Sequence, residues 1–136
     1  MASQGTKRRI VVVDDEPDIA TALQIGLEVG GFDVDALTDP ELVLSNFRPG
    51  LYDLVLVDIR MPKMDGFELS EQLKNIDPDV KVCFLTASGM YHGKVREKEH
   101  SDLSNDVLLQ KPITTHDLIR EINKKIDDSN RGIKKG

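Results

Sequence analysis

The feature that most constrains the fold of this chain is a short apolar run that ends at a carboxylate. Residues 54–57 read Leu-Val-Leu-Val, and Asp58 follows directly. A short uninterrupted apolar run of this kind is typical of a strand that is covered on both faces, as in a parallel sheet. Because a buried strand tolerates a charged side chain only where the strand ends, Asp58 should lie at a rim of the sheet.

Three more apolar runs, at residues 10–13, 80–85 and 107–110, also end at polar residues. The residues that follow or close these runs are Asp14 and Asp15, then Thr86, then Lys111 and Pro112. A shorter stretch, residues 32–36, alternates apolar residues with aspartates, which indicates a fifth strand with one wetter face. The sequence therefore predicts five strands, most of them with a polar carboxyl end.

Helical patterns separate these strands. The first helix should bury Ile19, Leu23 and Leu27 with Ala22 on the same face, and the second should carry Leu42, Val43 and Phe47. Alternation of strands and helices predicts parallel strands, right-handed crossovers and helices on both faces of the sheet. The exception is the charged segment 88–104, whose apolar residues are scattered, so we expect a short, irregular or shifted helix there.

Composition excludes several classes of protein. The chain has 136 residues, enough for one domain, and its net charge of −6 argues against direct nucleic-acid binding. One cysteine, Cys83, permits no internal disulfide, and no apolar stretch is long enough for a membrane span. We therefore expect a cytoplasmic protein, a monomer or weak dimer, with a flexible N-terminus (1–6), one domain (7–127) and a polar tail (128–136).

The polar strand ends define the predicted site. Parallel strands direct their carboxyl ends to one edge, where open α/β sheets bind ligands. Asp14, Asp15 and Asp58 would repel one another there unless a proton or a cation intervened. An oxygen-only ligand set selects a hard ion such as Mg²⁺, whereas Thr86 and Lys111 suit an anion. This combination favours phosphoryl chemistry with a carboxylate as a possible nucleophile.

These residues occur in an order that resembles a known family. Together with the sequences Asp-Ile-Arg-Met-Pro at 58–62 and Met-Asp-Gly at 64–66, they resemble the receiver domain of response regulators in two-component signalling. The resemblance covers roughly residues 7–127. It implies a flavodoxin-like, doubly wound, five-stranded parallel sheet with strand order 2-1-3-4-5.

The resemblance also implies a role for each residue of the site. Asp58 would accept the phosphoryl group. The ligands of Mg²⁺ (or Mn²⁺) would be Asp14, Asp15, Asp58 and the backbone carbonyl of Arg60. The phosphoryl oxygens would be contacted by Thr86, the Ala87 amide and Lys111. The peptide bond between Lys111 and Pro112 would be cis, as proline permits.

Partners follow from the same resemblance. The phosphoryl donor would be a sensor histidine kinase or a histidine phosphotransfer protein, and the signal would pass to a separate, unidentified output protein. The chain would thus be a phosphoacceptor rather than an enzyme with an external substrate. It departs from the family at Leu108, where receivers commonly carry an aromatic ring, and at 101–106, where the usual sequence pattern is missing.

Two other functions stay open at this stage. One is a receiver-like interaction module that works without phosphorylation. The other is a phosphatase of the haloacid dehalogenase type, which also uses an aspartate at a strand end. Such phosphatases normally carry a second acid two residues after the nucleophile, whereas this chain has Arg60 at that position.

Overall fold

The computed structural model describes residues 7–86, 107–110 and 113–135 of the chain, and within these ranges it contains five strands and four helices. The strands are β1 (Arg9–Val13), β2 (Asp33–Leu37), β3 (Leu54–Asp58), β4 (Lys81–Thr86) and β5 (Val107–Gln110). The helices are α1 (Pro17–Val29), α2 (Pro40–Asn46), α3 (Gly66–Ile76) and α4 (Thr115–Lys135).

All four strand pairings are parallel, and the strand order is β2-β1-β3-β4-β5. This confirms the predicted flavodoxin-like, doubly wound sheet. The order reverses between β1 and β3, which are neighbours although β2 separates them in sequence. Val13 pairs with Val57 in the register of these two strands. The next residues, Asp14 and Asp58, therefore leave the sheet side by side.

Helices cover both faces of the sheet. On one face, α2 and α3 pack against alternate strand residues such as Val11 and Val55. On the other face, α1 and α4 pack against the intervening residues, such as Ile10 and Leu54. All five residues of β3 are buried, which explains why its sequence is an unbroken apolar run up to the terminal acid. Each fully buried aliphatic side chain contributes roughly 1.5–3 kcal/mol to folding.

Side-chain caps fix the starts of three helices. Asp65 and Glu68 form a complete capping box at α3, with each side chain accepting the other residue's backbone N–H at 2.9 and 3.1 Å. Asp39 accepts the N–H of Glu41 at the start of α2. Thr114 accepts the N–H of Asp117 at the start of α4. Caps of this kind contribute about 1 kcal/mol each.

Two predicted inward-facing side chains point outward instead. Ala22 is exposed, and Ala20 takes the buried place because it lies seven residues, or two turns, before the buried Leu27. Leu42 is also exposed, since the short helix α2 turns Pro40 and Val43, three residues apart, toward the core. Both differences concern the rotation of a helix about its axis, which a short apolar pattern defines poorly.

The last helix, α4, extends beyond the predicted end of the domain. It continues to Lys135, past residue 127, where we expected a polar tail to begin. The segment 88–104, with its predicted irregular helix, lies outside the described residues, as do the peptide bond between Lys111 and Pro112 and residues 1–6. Within the ranges that the structure covers, no helix has both the length and the apolar character to cross a bilayer.

The amino-terminal edge of the sheet carries a polar cluster around Tyr52. Its hydroxyl donates to Asp35 Oδ2 at 2.6 Å, and the Arg9 guanidinium lies 5.6 Å from its ring centroid. Burial and the acceptor Asp35 raise the pKa of Tyr52 from 10.0 to about 12, against the opposing charge of Arg9. The phenol therefore keeps its proton to a higher pH in the folded state than in the unfolded chain.

This shift predicts a late tyrosine titration. The chain has two tyrosines, Tyr52 and Tyr91, so the measurement uses a Tyr91→Phe background. Absorbance at 295 nm should then report ionisation of Tyr52 near pH 12 in the native protein. Tyr52 of the Asp35→Asn variant should titrate at a lower pH than in the native protein, because the asparagine carries no charge, but still above pH 10, because the phenol stays partly buried. Since the folded pKa is the higher one, the stabilisation is fully present below pH 10 and is lost as the pH rises toward 12. Equal titration midpoints in the two proteins would contradict the assignment.

Candidate functional site

Three carboxylates meet at the carboxyl edge of the sheet. Asp14 and Asp15 directly follow β1, and Asp58 is the last residue of β3. One carboxylate oxygen from each lies within 4.8 Å of the other two. Asp14 is 1% exposed and Asp58 9%, while Asp15 is half-buried. The structure thus brings together the three acids that the sequence placed at one rim.

Backbone amides orient two of these acids. The N–H of Glu16 donates to Asp14 Oδ1 at 2.9 Å, and the N–H of Arg60 donates to Asp58 Oδ1 at 3.3 Å. In both cases an aspartate at a strand end accepts from the amide two residues later, a common local arrangement of this side chain. Sequence reasoning missed these donors, although an aspartate that begins a turn is a signal for them.

Thr86 lies at the same edge, on the other side of β3 from the acids of β1. It is the last residue of β4 and is 6% exposed. The strand register pairs Asp58 with Leu85, so Thr86 lies one residue beyond the level of Asp58. It also pairs Thr86 with Gln110, which places the end of β5 at this edge.

Of the other predicted site residues, the structure describes Arg60 but not Ala87 or Lys111. The Arg60 side chain is exposed, while its backbone lies in the loop that follows Asp58. Ala87 and Lys111 lie outside the described residues, so their predicted contacts stay predictions. Asp53 precedes β3 at the opposite edge, where its carboxylate accepts the N–H of Arg9 at 2.8 Å. It is not part of the acidic cluster, because it lies at the start of the strand that Asp58 ends.

The donor set fits a hard divalent cation. The three acids offer only oxygen ligands, the donors that Mg²⁺ prefers. At 4.8 Å, the upper limit of the oxygen–oxygen separations, two unit negative charges repel by roughly 3.5 kcal/mol if the effective dielectric constant is about 20. Among the described residues, this is the one group of three or more acidic, histidine or cysteine side chains close enough to share a metal ion. A bound cation would turn the repulsion into attraction.

Comparison with known proteins identifies the family. The family model described as the response regulator receiver domain matches residues 10–123, most of the chain. The chain belongs to this family.

Its relatives include receiver proteins of different lengths. CpdR of Brucella abortus is 33% identical over 118 residues, which are 86% of this chain and 95% of CpdR. The transcriptional regulatory protein DltR of Streptococcus agalactiae is 35% identical over 114 residues, which are 84% of this chain but 50% of DltR. The chain thus spans about half the length of DltR and of PrrA from Mycobacterium tuberculosis.

Solved receiver structures share the fold. TrrA of Thermotoga maritima, in complex with Mg²⁺ and BeF, is 32% identical with a TM-score of 0.71, over 87% of this chain and 98% of TrrA. A receiver domain protein from Clostridium thermocellum is 27% identical with a TM-score of 0.75, over 90% of this chain and 97% of the other. The chain thus belongs to the receiver domains of two-component response regulators, and its relatives are signalling regulators.

The acidic cluster agrees with this membership. Receiver domains bind Mg²⁺ through an acidic pocket, and Asp14, Asp15 and Asp58 form such a pocket at the carboxyl edge of β1 and β3.

The repulsion between the acids predicts an effect on stability without metal. In the presence of EDTA, Asp58→Asn should raise the free energy of unfolding by about 1–3 kcal/mol, because it removes one charge from the cluster. Urea denaturation of both proteins measures this difference. Asp53→Asn, which removes the same charge at the opposite edge, serves as the matched control and should not stabilise the protein. A loss of stability in Asp58→Asn would contradict this description of the site.

Proposed function

We propose that Asp58 accepts a phosphoryl group in a Mg²⁺-dependent reaction. The donor is the phosphohistidine of a sensor histidine kinase or of a histidine phosphotransfer protein. The observation that carries the proposal is the meeting of three carboxylates within 4.8 Å at the edge where the strand order reverses. Mg²⁺ in the solved TrrA complex gives further support.

The position of β3 favours Asp58 as the acceptor. This strand is the central one of five, so Asp58 has Asp14 and Asp15 of the β1 end on one side and Thr86 of β4 on the other. A phosphoryl group on Asp58 would therefore meet the cation on one side and a hydroxyl donor on the other. The Arg60 N–H, which donates to Asp58 Oδ1, orients the carboxylate for this reaction.

The transfer forms one bond and breaks one. An oxygen of the Asp58 carboxylate attacks phosphorus, the new O–P bond forms, and the N–P bond of the donor breaks with its electron pair left on the imidazole nitrogen. Asp14, Asp15, Asp58 and the Arg60 carbonyl would hold Mg²⁺, whose positive charge would neutralise the phosphoryl oxygens. In our proposal Thr86, the Ala87 amide and Lys111 bind those oxygens.

We propose that phosphorylation shifts a two-state equilibrium that a separate protein reads. The relatives DltR and PrrA are transcriptional regulators of about twice this length. Leu108 of β5 pairs with Phe84 and is 36% exposed. As an aliphatic residue in the place of the usual ring, it favours an output route that does not use an aromatic switch.

Intact mass spectrometry tests the proposed function. The protein is incubated with Mg²⁺ and acetyl phosphate, and we expect one base-labile phosphoryl adduct per chain. The adduct should be absent in Asp58→Asn and in the presence of EDTA. It should persist in Asp53→Asn, which changes the same charge at the far end of the strand.

The other outcomes would identify the alternatives. Wild-type protein that takes no phosphoryl group from acetyl phosphate or from a phosphorylated histidine domain would contradict the proposal and favour a phosphorylation-independent interaction module. Catalytic release of phosphate from a range of monoesters would instead favour a phosphatase. Arg60, which is exposed and lies two residues after Asp58, argues against a phosphatase. Arginine cannot replace the second carboxylic acid that such an enzyme uses as its general acid.

A further inference from the structure

The first turn of α3 lies directly against the end of β3. The N–H of Gly66 donates to the carbonyl oxygen of Ile59 at 2.8 Å, and this bond closes the loop that follows Asp58. Gly66 is buried. A Cβ atom at Gly66 would lie 2.7 Å from the carbonyl oxygen of Asp58 and 2.9 Å from the Cα of Ile59. No side chain of any kind fits between this turn and the strand end.

Gly66 is needed for space and not for an unusual backbone conformation. Among the described glycines, only Gly31 and Gly50 have positive φ angles, of 99° and 80°. The atoms that would clash at Gly66 belong to the backbone and cannot rotate away. Gly30 differs, because a Cβ there would meet the end of the flexible Ile119 side chain at 2.5 Å.

We infer that Gly66 is a positioning residue for the phosphoryl acceptor. Because Gly66 has no side chain, the first turn of α3 packs directly against the end of β3 and keeps Asp58 in its place beside Asp14. The inference rests on the proposed function of Asp58. Gly66 would not contact the phosphoryl group or the ion. It would act through the main chain of Asp58 and Ile59.

The size of the clash supports a functional effect. Restoring an ordinary contact of about 3.4 Å from 2.7 Å requires a displacement of roughly 0.7 Å. Catalytic and metal-binding groups must be held within about 0.5 Å of their productive positions. The helix cannot easily yield, because Leu69 and Leu73 of α3 are fully buried and its N-terminus is capped by Asp65. The displacement should therefore fall on Asp58 and on the adjoining Arg60 carbonyl.

The test compares Gly66→Ala with Gly50→Ala. Alanine at Gly50 is strained by the positive φ but meets no atom within 4 Å. The Gly50 N–H donates to Asp77 at the opposite edge of the sheet, so this variant lowers stability without touching the site. For each protein we would measure urea denaturation, Mg²⁺ affinity by calorimetry without a phosphodonor, and the rate of phosphorylation by acetyl phosphate at saturating Mg²⁺. All measurements use a temperature at which every variant is folded.

We expect Gly66→Ala to bind Mg²⁺ at least fivefold more weakly and to be phosphorylated at least tenfold more slowly than wild type. Gly50→Ala should match wild type within twofold in both. Gly66→Ala values within twofold of those of Gly50→Ala would overturn the inference. If wild-type protein takes no phosphoryl group, the proposed function fails, and Mg²⁺ affinity alone then decides whether Gly66 positions the acids.

A second variant covers the case in which Gly66→Ala does not fold. Asp65→Ala removes the capping bond to the Glu68 N–H and adds no atom near Asp58, so the first turn of α3 is held less firmly against β3. We expect phosphorylation at least threefold slower than in Gly50→Ala. An equal rate would overturn the inference.

Discussion

The site depends on one electrostatic constraint, the close approach of Asp14, Asp15 and Asp58. Parallel pairing of β1 with β3 aligns Val13 with Val57, and the acids that follow must then emerge together. Their repulsion opposes folding, and the apolar burial of the two helix layers offsets it. The folded sheet therefore holds three neighbouring carboxylates, whose combined negative charge would attract a divalent cation. The proposed phosphoryl chemistry is the use that best explains why the acids are collected there.

The sequence was sufficient to predict the parts of the molecule that depend on local rules. The run at 54–57 predicted a strand buried on both faces, and β3 is buried throughout. The three acids were predicted to meet because parallel strands end at a common edge, which follows from topology alone.

The features that the sequence could not provide depend on contacts between distant segments. The rotation of α1 buries Ala20 in place of Ala22, since the packing of the whole helix sets its phase and a few apolar residues do not. The amides of Glu16 and Arg60 orient the acids through a turn geometry that an aspartate favours but does not determine by itself. The need for glycine at position 66 appears only when α3 is placed against β3.

The most direct test of the central claim is a calorimetric titration of the protein with Mg²⁺. We expect one ion per chain in wild-type protein and at least tenfold weaker binding in Asp15→Asn, because that variant removes one of the three carboxylates that would face the ion. Asp53→Asn, with the same loss of charge at the opposite edge of the sheet, should bind as wild type does. Absence of binding, or equal affinity in wild type and Asp15→Asn, would contradict the account.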